Sequence, residues 1–492
     1  MIVESPALIW PLIITGLAPF ALWLLRGNLN LREGVSFAAG ILTFAVNLSF
    51  APQVLAGKIL LLPLFSILPG IEIKLCADGL ALIFSLISSF LWILATSYNI
   101  GYMRTLQEHA QTRYYFCFAV AIFGAQGVAY SGNVLTLYLF YEVITVFTYP
   151  LVAHHQDAEA YHGARKYLVY LMGTSKLFFL PAMVLTYVLA GTLDFHLGDM
   201  VKGIFPPDAN PLLVQITYGL YVAGMAKAAI MPLHNWLPSA MVAPTPVSAL
   251  LHAVAVVKAG VFSISRVLLS VFGVQLMDSL GLGVATACFA AFTIVTASAI
   301  ALTKDDLKAR LAYSTVSQLS YVVLGVALLS PLAVTGGLAH IAHHAFSKIT
   351  LFFAAGAIYV ATHLKKISLL PGVGRRMPWT FGAFAVASLS MIGVPPVCGF
   401  VSKWYMVNGA VSTHQYIFLV ALLASTVPSA AYFAPVVYRA FFEEPAPGVD
   451  LSQFKEAPLT MVIPLCFTAA VSVFLGLYPE TFFQFIYSFM GR

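Results

Sequence analysis

Runs of about twenty apolar residues, parted by short polar stretches, recur from one end of the chain to the other. A helix crossing a hydrocarbon core of about 30 Å needs that length. The pattern predicts fourteen spans, over residues 6–26, 34–55, 79–102, 113–131, 133–154, 163–190, 211–238, 244–271, 278–302, 311–329, 334–362, 378–408, 415–442 and 459–487. The longest polar connections, 191–210, 363–377 and 443–458, are ordinary loops rich in Gly, Pro or charge. Residues 56–78, containing ILLLPLFSILPGIEIKL, predict a short hairpin-like excursion outside the membrane. The fold class is all-α integral membrane, one polytopic domain over residues 1–492.

Two of these spans are interrupted. In GMAKAAIMPLHNWLP, Lys227 is followed by Pro232 in mid-span, and GVPPVCGF, from Gly393 to Phe400, precedes Lys403. Proline removes a backbone donor and clashes with the preceding turn. The carbonyls it frees survive at membrane depth only where protein or water meets them. The two breaks lie five spans apart, and paired broken helices in corresponding positions point to an inverted repeat with an ion path. Residues 113–271 and 278–442 are the expected units.

Composition fits a membrane chain. Of 492 residues, 60% are hydrophobic and 9% charged, against about 25% charged in soluble domains. The net charge of +6 reflects topology. One set of loops holds Arg26, Arg32, Arg104, Arg113, Arg165, Lys166, Lys304, Lys308, Arg310, Lys365, Lys366, Arg375, Arg376, Arg439 and Lys455; the other holds Lys58, Lys74, Lys202 and Arg492. By the positive-inside rule both termini are extracytoplasmic, in the inner (plasma) membrane of a prokaryote, and no nucleic-acid partner is implied. The first apolar segment has no basic region ahead of it, so an uncleaved helix is expected rather than a signal peptide. Cys76, Cys117, Cys288, Cys398 and Cys466 are scattered, which gives no cluster motif, metal knuckle or disulfide framework. No cofactor is expected.

The remaining charges lie inside spans: Lys176, Lys227, Lys258, Lys348 and Lys403, with Arg266 close enough to an end to snorkel, and Glu142 as the one deep acid. Each costs roughly 2.5–3.5 kcal/mol on insertion scales, so such residues face protein or water and are functional by default. Glu142 reads either as a carboxylic acid kept neutral by burial or as the partner of Lys227, titrating with it as a coupled unit. His252 reads as a structural imidazole or as part of a wet path with Lys258, six residues on; about 600° of rotation separates them. His340, His344 and Lys348, at i, i+4 and i+8, form one polar stripe. A zinc site there lacks the HExxH glutamate and a nearby cysteine, so metal: none is expected, and a proton relay suits histidine better. Second-rank candidates are His234, Asp305 and Asp306, the last two being acids near a helix N-terminus, which its dipole favours.

KAAIMPLHNWLPSAMVAPTPVSALLHAVAVVKAGVFSISR resembles the signature of the antiporter-like subunits shared by respiratory complex I, Mrp-type sodium/proton antiporters and membrane-bound hydrogenases. DLKARLAYSTVSQLSY, HIAHHAFSKITLFFAAGAI and IGVPPVCGFVSKW resemble three further blocks of that family, in its order, over residues 75–410. The resemblance implies fourteen core helices with two inverted five-helix repeats, broken in spans 7 and 12, and no catalytic centre of the chain's own. It implies that Glu142, Lys227, Lys258 and Lys403 translocate protons and that His340, His344 and Lys348 carry the path, which His252 joins beside Lys258 on the reading of the residues themselves. Lys176 matches a basic position present in several members. Expected partners are other membrane subunits, including homologous antiporter-like ones, with lipid around them and sodium as an alternative cargo to protons. Chain length and a lysine at 403 make the Mrp D subunit most similar, with hydrogenase and formate-hydrogenlyase counterparts beside it. A stand-alone sodium/proton antiporter and a complex I-type pumping subunit are the alternatives.

Overall fold

The computed structural model describes residues 1–68 and 71–491. Pro69, Gly70 and Arg492 lie outside the described residues, and with Arg492 one of the four basic residues assigned to the sparse side.

Polar residues set the helix starts. Asn28 opens α1 (Leu29–Ser49) by accepting from the amides of Asn30 and Leu31, and Asp78 opens α2 (Gly79–Thr105) through Ala81 N at 2.9 Å. Asn133 does the same for α3 (Val134–Val152) and Asp157 for α4, which starts at Ala158. Each side-chain oxygen meets an N–H that the first turn leaves without a partner.

Ten helical runs among the described residues are long and apolar enough to cross a membrane. They include α1 to α3, α4 (Ala158–Ala190), α5 (Thr245–Ser279), α6 (Leu282–Leu302), α7 (Pro331–Thr362), α8 (Tyr416–Phe442) and α9 (Leu459–Leu477). The helices Gln111–Ala129 and Leu307–Ala327 fall outside that set although the sequence predicts spans there. Both are interior helices, carrying Gln126 or Thr315 and Gln318 into the bundle with full burial, so they need less apolarity than a lipid-facing helix. The predicted spans 211–238 and 378–408 are each divided, into Pro211–Gly224 plus short turns and into Pro378–Ile392 plus Cys398–Ser412. The last predicted span is also two helices, Leu459–Leu477 and Glu480–Phe489, parted at Pro479.

The most apolar stretch of α5 is wholly buried, and α7 is nearly so. These two helices form the centre, α7 being packed by Leu307–Ala327, Pro378–Ile392, Cys398–Ser412 and α9. Charge on them is therefore shielded from lipid.

Contacts also sort the two ends. At one, β1 (Ile2–Glu4) pairs in parallel with β2 (Ile59–Leu68), and β2 pairs antiparallel with β3 (Ile71–Ala77). The predicted hairpin is thus a strand pair joined by the N-terminal strand. Ser488 reaches Val54 O there, so both ends of the chain sit with the sheet. At the other end the basic loops contact one another through Arg104–Glu33, Lys308–Ala243 O and Asp305–Ser368.

Candidate functional site

The first break begins where Pro211–Gly224 ends. Lys227 sits in the tight turn Ala226–Ala228, and Ala229 follows at φ 56°. The freed backbone groups find side chains: Ala226 O accepts from Trp236 Nε1 at 2.9 Å, Met231 N donates to Thr293 Oγ1 and Lys227 N to Tyr141 OH, each at 3.2 Å. Lys227 is fully buried, with Nζ donating to Tyr141 O at 2.5 Å and lying over the Tyr141 ring. Gly260 of α5 makes this turn possible. A Cβ there would stand 2.3 Å from Lys227 C and Ala228 N, a clash with backbone that only glycine avoids. Gly260→Ala is expected to destabilise the chain by about 1–3 kcal/mol, as overpacking does. Gly219→Ala, at a position with nothing within 4 Å, serves as the neutral control in thermal unfolding in detergent.

Glu142 does not meet Lys227. Its Oε2 accepts from Lys176 Nζ at 3.1 Å, and the same ammonium donates to Tyr138 OH at 2.8 Å. Lys176 lies in a π-helical turn, Ser175–Phe179, within α4; such turns widen the helix and re-aim a side chain. Its side chain is 47% exposed and that of Glu142 12%. This pair sits on an outer face where Leu139, Val169 and Leu177 are also exposed. The deep acid expected from the sequence is therefore at the edge of the chain.

The centre holds most of the remaining candidates. Lys258 Nζ of α5 is 2.6 Å from His344 Nδ1 of α7, a direct link between the central helices. His252 lies in a second π-helical turn, Leu250–Val254, with Nδ1 3.0 Å from Thr315 Oγ1 and Nε2 without a partner. The turn changes the 600° offset predicted for an unbroken helix. His340 uses both nitrogens, on Ser402 Oγ at 2.7 Å and Gln318 Oε1 at 3.0 Å. Lys348 donates to Ser314 Oγ at 2.5 Å and to Leu311 O at 3.3 Å. His340 thus has both ring nitrogens engaged, while His344 meets Lys258 through Nδ1 and leaves Nε2 without a partner.

At the second break Lys403 folds back from Cys398–Ser412. It donates to Met391 O at 2.7 Å and Ile392 O at 3.1 Å, closing the last carbonyls of Pro378–Ile392 before Gly393 at φ 93°. These are carbonyls that a helix C-terminus leaves without partners. Among the described residues no carboxylate lies within 4 Å of Lys227, Lys258, Lys348 or Lys403. Apart from the His344 imidazole, every acceptor they meet is a hydroxyl or carbonyl oxygen.

The second-rank residues lie apart from this series. His234 is half-buried near Tyr313, Asp305 ties down Ser368, and Asp306 caps Leu307–Ala327 through Ala309 N at 2.8 Å. Arg266 does not snorkel. It is fully buried and grips Asp78 with two bonds, at 2.5 and 2.8 Å. Asp78 was missed because it reads as a loop acid just ahead of a span. His343 was missed too; it is buried with neither ring nitrogen bonded. At the basic-loop end a cavity of about 600 Å³ is lined by Tyr102, Glu108, His155, Thr245, Lys308 and Tyr359. Burial opposes the charge on Glu108, but the imidazoles of His154, His155 and His109 outweigh it and keep its carboxyl below the ordinary range.

Comparison with known proteins gives a consistent picture. Residues 131–428 match the family described as NADH:quinone oxidoreductase/Mrp antiporter, TM. The chain is 33% identical over 425 residues to NADH-quinone oxidoreductase subunit N of Desulforudis audaxviator, covering 84% of this chain and 83% of that one. It is 30% identical over 467 residues to a subunit of a probable K(+)/H(+) antiporter of Rhizobium meliloti, covering 91% of this chain but 45% of that longer one. In fold it matches a chain of the Mrp complex from Dietzia sp., with TM-score 0.86, 19% identity and coverage of 99% and 97%. A chain of the archaeal membrane-bound sulfane sulfur reductase gives TM-score 0.86 at 25% identity, with the same coverage. The chain is an integral membrane protein and belongs to the NADH:quinone oxidoreductase/Mrp antiporter transmembrane family.

Proposed function

We propose that this chain moves protons across the membrane as an antiporter-like subunit of a multisubunit complex. The observation that carries the reading is the buried basic series. Lys227 and Lys403 each sit at a helix break, and between them lie His252, the Lys258–His344 contact, His340 and Lys348, all fully buried. In this reading fourteen crossings form two inverted five-helix repeats, residues 113–271 and 278–442. The basic loops face the cytoplasm of a prokaryote, and both termini lie outside it.

Lys227 is the switching residue. A proton on it is held by Tyr141 alone, so its charge depends on where Glu142 is. When Lys176 holds Glu142, as here, Lys227 is left to neutral acceptors; when the carboxylate turns to Lys227 it stabilises the ammonium. Protonating one lysine repels charge from the next, by roughly 2 kcal/mol at about 8 Å and an effective dielectric near 20. Lys258 and His344 join the two halves, and Lys403 gates the far exit.

A half-exposed lysine on an apolar outer face is costly in lipid. A neighbouring membrane subunit covering the Glu142–Lys176 face removes that cost and gives the neighbour a hold on the switch. The reading as a Mrp D-type chain rests on Lys403, and copurifying chains decide it. The test is translocation by the assembled complex in proteoliposomes. Lys227→Ala and Glu142→Ala are each expected to lower it about a hundredfold, within the range for a lost proton-transfer group. Unchanged pumping or antiport in both would overturn the reading.

A further inference from the structure

We propose a binding site for a zinc-class divalent cation at the basic-loop end, formed by Glu108, His109 and His154, with His155 as a fourth ligand. The loops following α2 and α3 bring the ligand atoms of Glu108, His109 and His154 within 4.8 Å of one another. His154 is fully buried and neither of its ring nitrogens completes a hydrogen bond. Buried polar side chains are overwhelmingly paired, so such a histidine calls for an explanation. Its Nε2 lies 3.5 Å from Glu108 Oε2, and His155 Nδ1 lies 3.8 Å from the same oxygen. The His109 ring lies 4.7 Å from that of His154.

A simple His–Glu ion pair accounts for one of these imidazoles and gives no reason for three to converge on one carboxylate. A metal does. Ligands at zinc bond lengths of 2.0–2.1 Å in a tetrahedron stand about 3.4 Å apart, close to the 3.5 Å between His154 and Glu108. Three imidazoles and one carboxylate suit Zn²⁺ or Co²⁺; Ca²⁺ and Mg²⁺ prefer all-oxygen shells. Glu108 and His155 also line the cavity that holds Lys308 and Thr245, so a bound cation would place positive charge on its wall. The proposed binding does not depend on the proton-translocating reading.

The test uses the purified complex, stripped with chelator and dialysed against micromolar Zn²⁺, with Co²⁺ absorption as a second readout. His109 and His155 are exposed, so the double variant His109→Ala/His155→Ala leaves the packing intact. Since even outer-shell changes cost 10–100-fold in metal affinity, removing two ligands is expected to weaken one Zn²⁺ equivalent per copy of this chain about a hundredfold or more and to abolish the tetrahedral Co²⁺ band. His154→Asn is expected to do the same. Equal stoichiometry and affinity in wild type and variants would overturn the site, as would failure of the wild type to take up Zn²⁺ at micromolar concentration.

Discussion

Lys258→Met is expected to lower proton translocation by the assembled complex about a hundredfold or more, as loss of a positioned proton-transfer group does. His344→Leu is expected to do the same. Among the buried candidates these two make the one direct contact between α5 and α7, 2.6 Å from Nζ to Nδ1. If His344 is neutral with its proton on Nε2, Nδ1 accepts from the lysine, and the proton needs no rearrangement of backbone to cross. A hundredfold loss corresponds to about 2.7 kcal/mol in the barrier. The two residues act as one step, so the double variant is expected to be no worse than either single one, whereas independent steps would give losses that multiply. Multiplying losses would mean that the two lower the barrier independently rather than as one step, and normal pumping by Lys258→Met would remove the joint between the halves altogether. Flux by pH-dye quenching in proteoliposomes, with the complex shown intact by gel filtration, reads all three.

Much of this arrangement is legible in the sequence because the bilayer makes charge conspicuous. Lys227, Lys258, Lys348 and Lys403 stand out in apolar runs, and Pro232 and Pro395 mark where the helices give way. Asp78 and Asn133 stand at the starts of predicted spans, whereas the helices capped by Asn28 and Asp157 begin at Leu29 and Ala158, ahead of the predicted 34 and 163. Pairing is not legible. Nothing in YLMGTSKLFF reveals a π-helical turn, yet the turn carries Lys176 to Glu142, where the sequence suggests Lys227. The turn at Leu250–Val254 likewise alters the offset between His252 and Lys258. Helix periodicity assumes 3.6 residues per turn, and one extra residue per turn leaves no mark in hydrophobicity. Exposure of the Glu142–Lys176 face escapes as well, since lipid-facing and partner-facing surfaces are equally apolar. His154 and Glu108, 46 positions apart, look like unrelated loop residues until the bundle closes.

Asp78→Ala is expected to destabilise the chain by about 3–5 kcal/mol, the range for breaking a buried ion pair from one side. Arg266 would then be a fully buried guanidinium without its carboxylate, in a pocket walled by Phe195, Phe262 and Phe489. Those rings supply only cation–π attraction, and burial deprives the charge of water. Asp78 also caps α2 through Ala81 N, which adds to the loss by up to about 2 kcal/mol. Asp78→Asn separates these contributions, because an asparagine still caps the helix but brings no charge. Replacing both members, Asp78→Asn with Arg266→Met, removes the unpaired charge and is expected to recover most of the stability, since apolar replacement of a buried pair is often neutral. By contrast Glu444→Ala, which breaks the exposed contact with Arg375 but leaves that arginine on the carbonyls of Phe441, Phe442 and Glu443, is expected to change little. Unfolding in mixed detergent, followed by tryptophan fluorescence, gives the four differences. If Asp78→Asn is as stable as wild type, Arg266 finds water or another acceptor at the sheet end, and the closed pocket described for it is wrong.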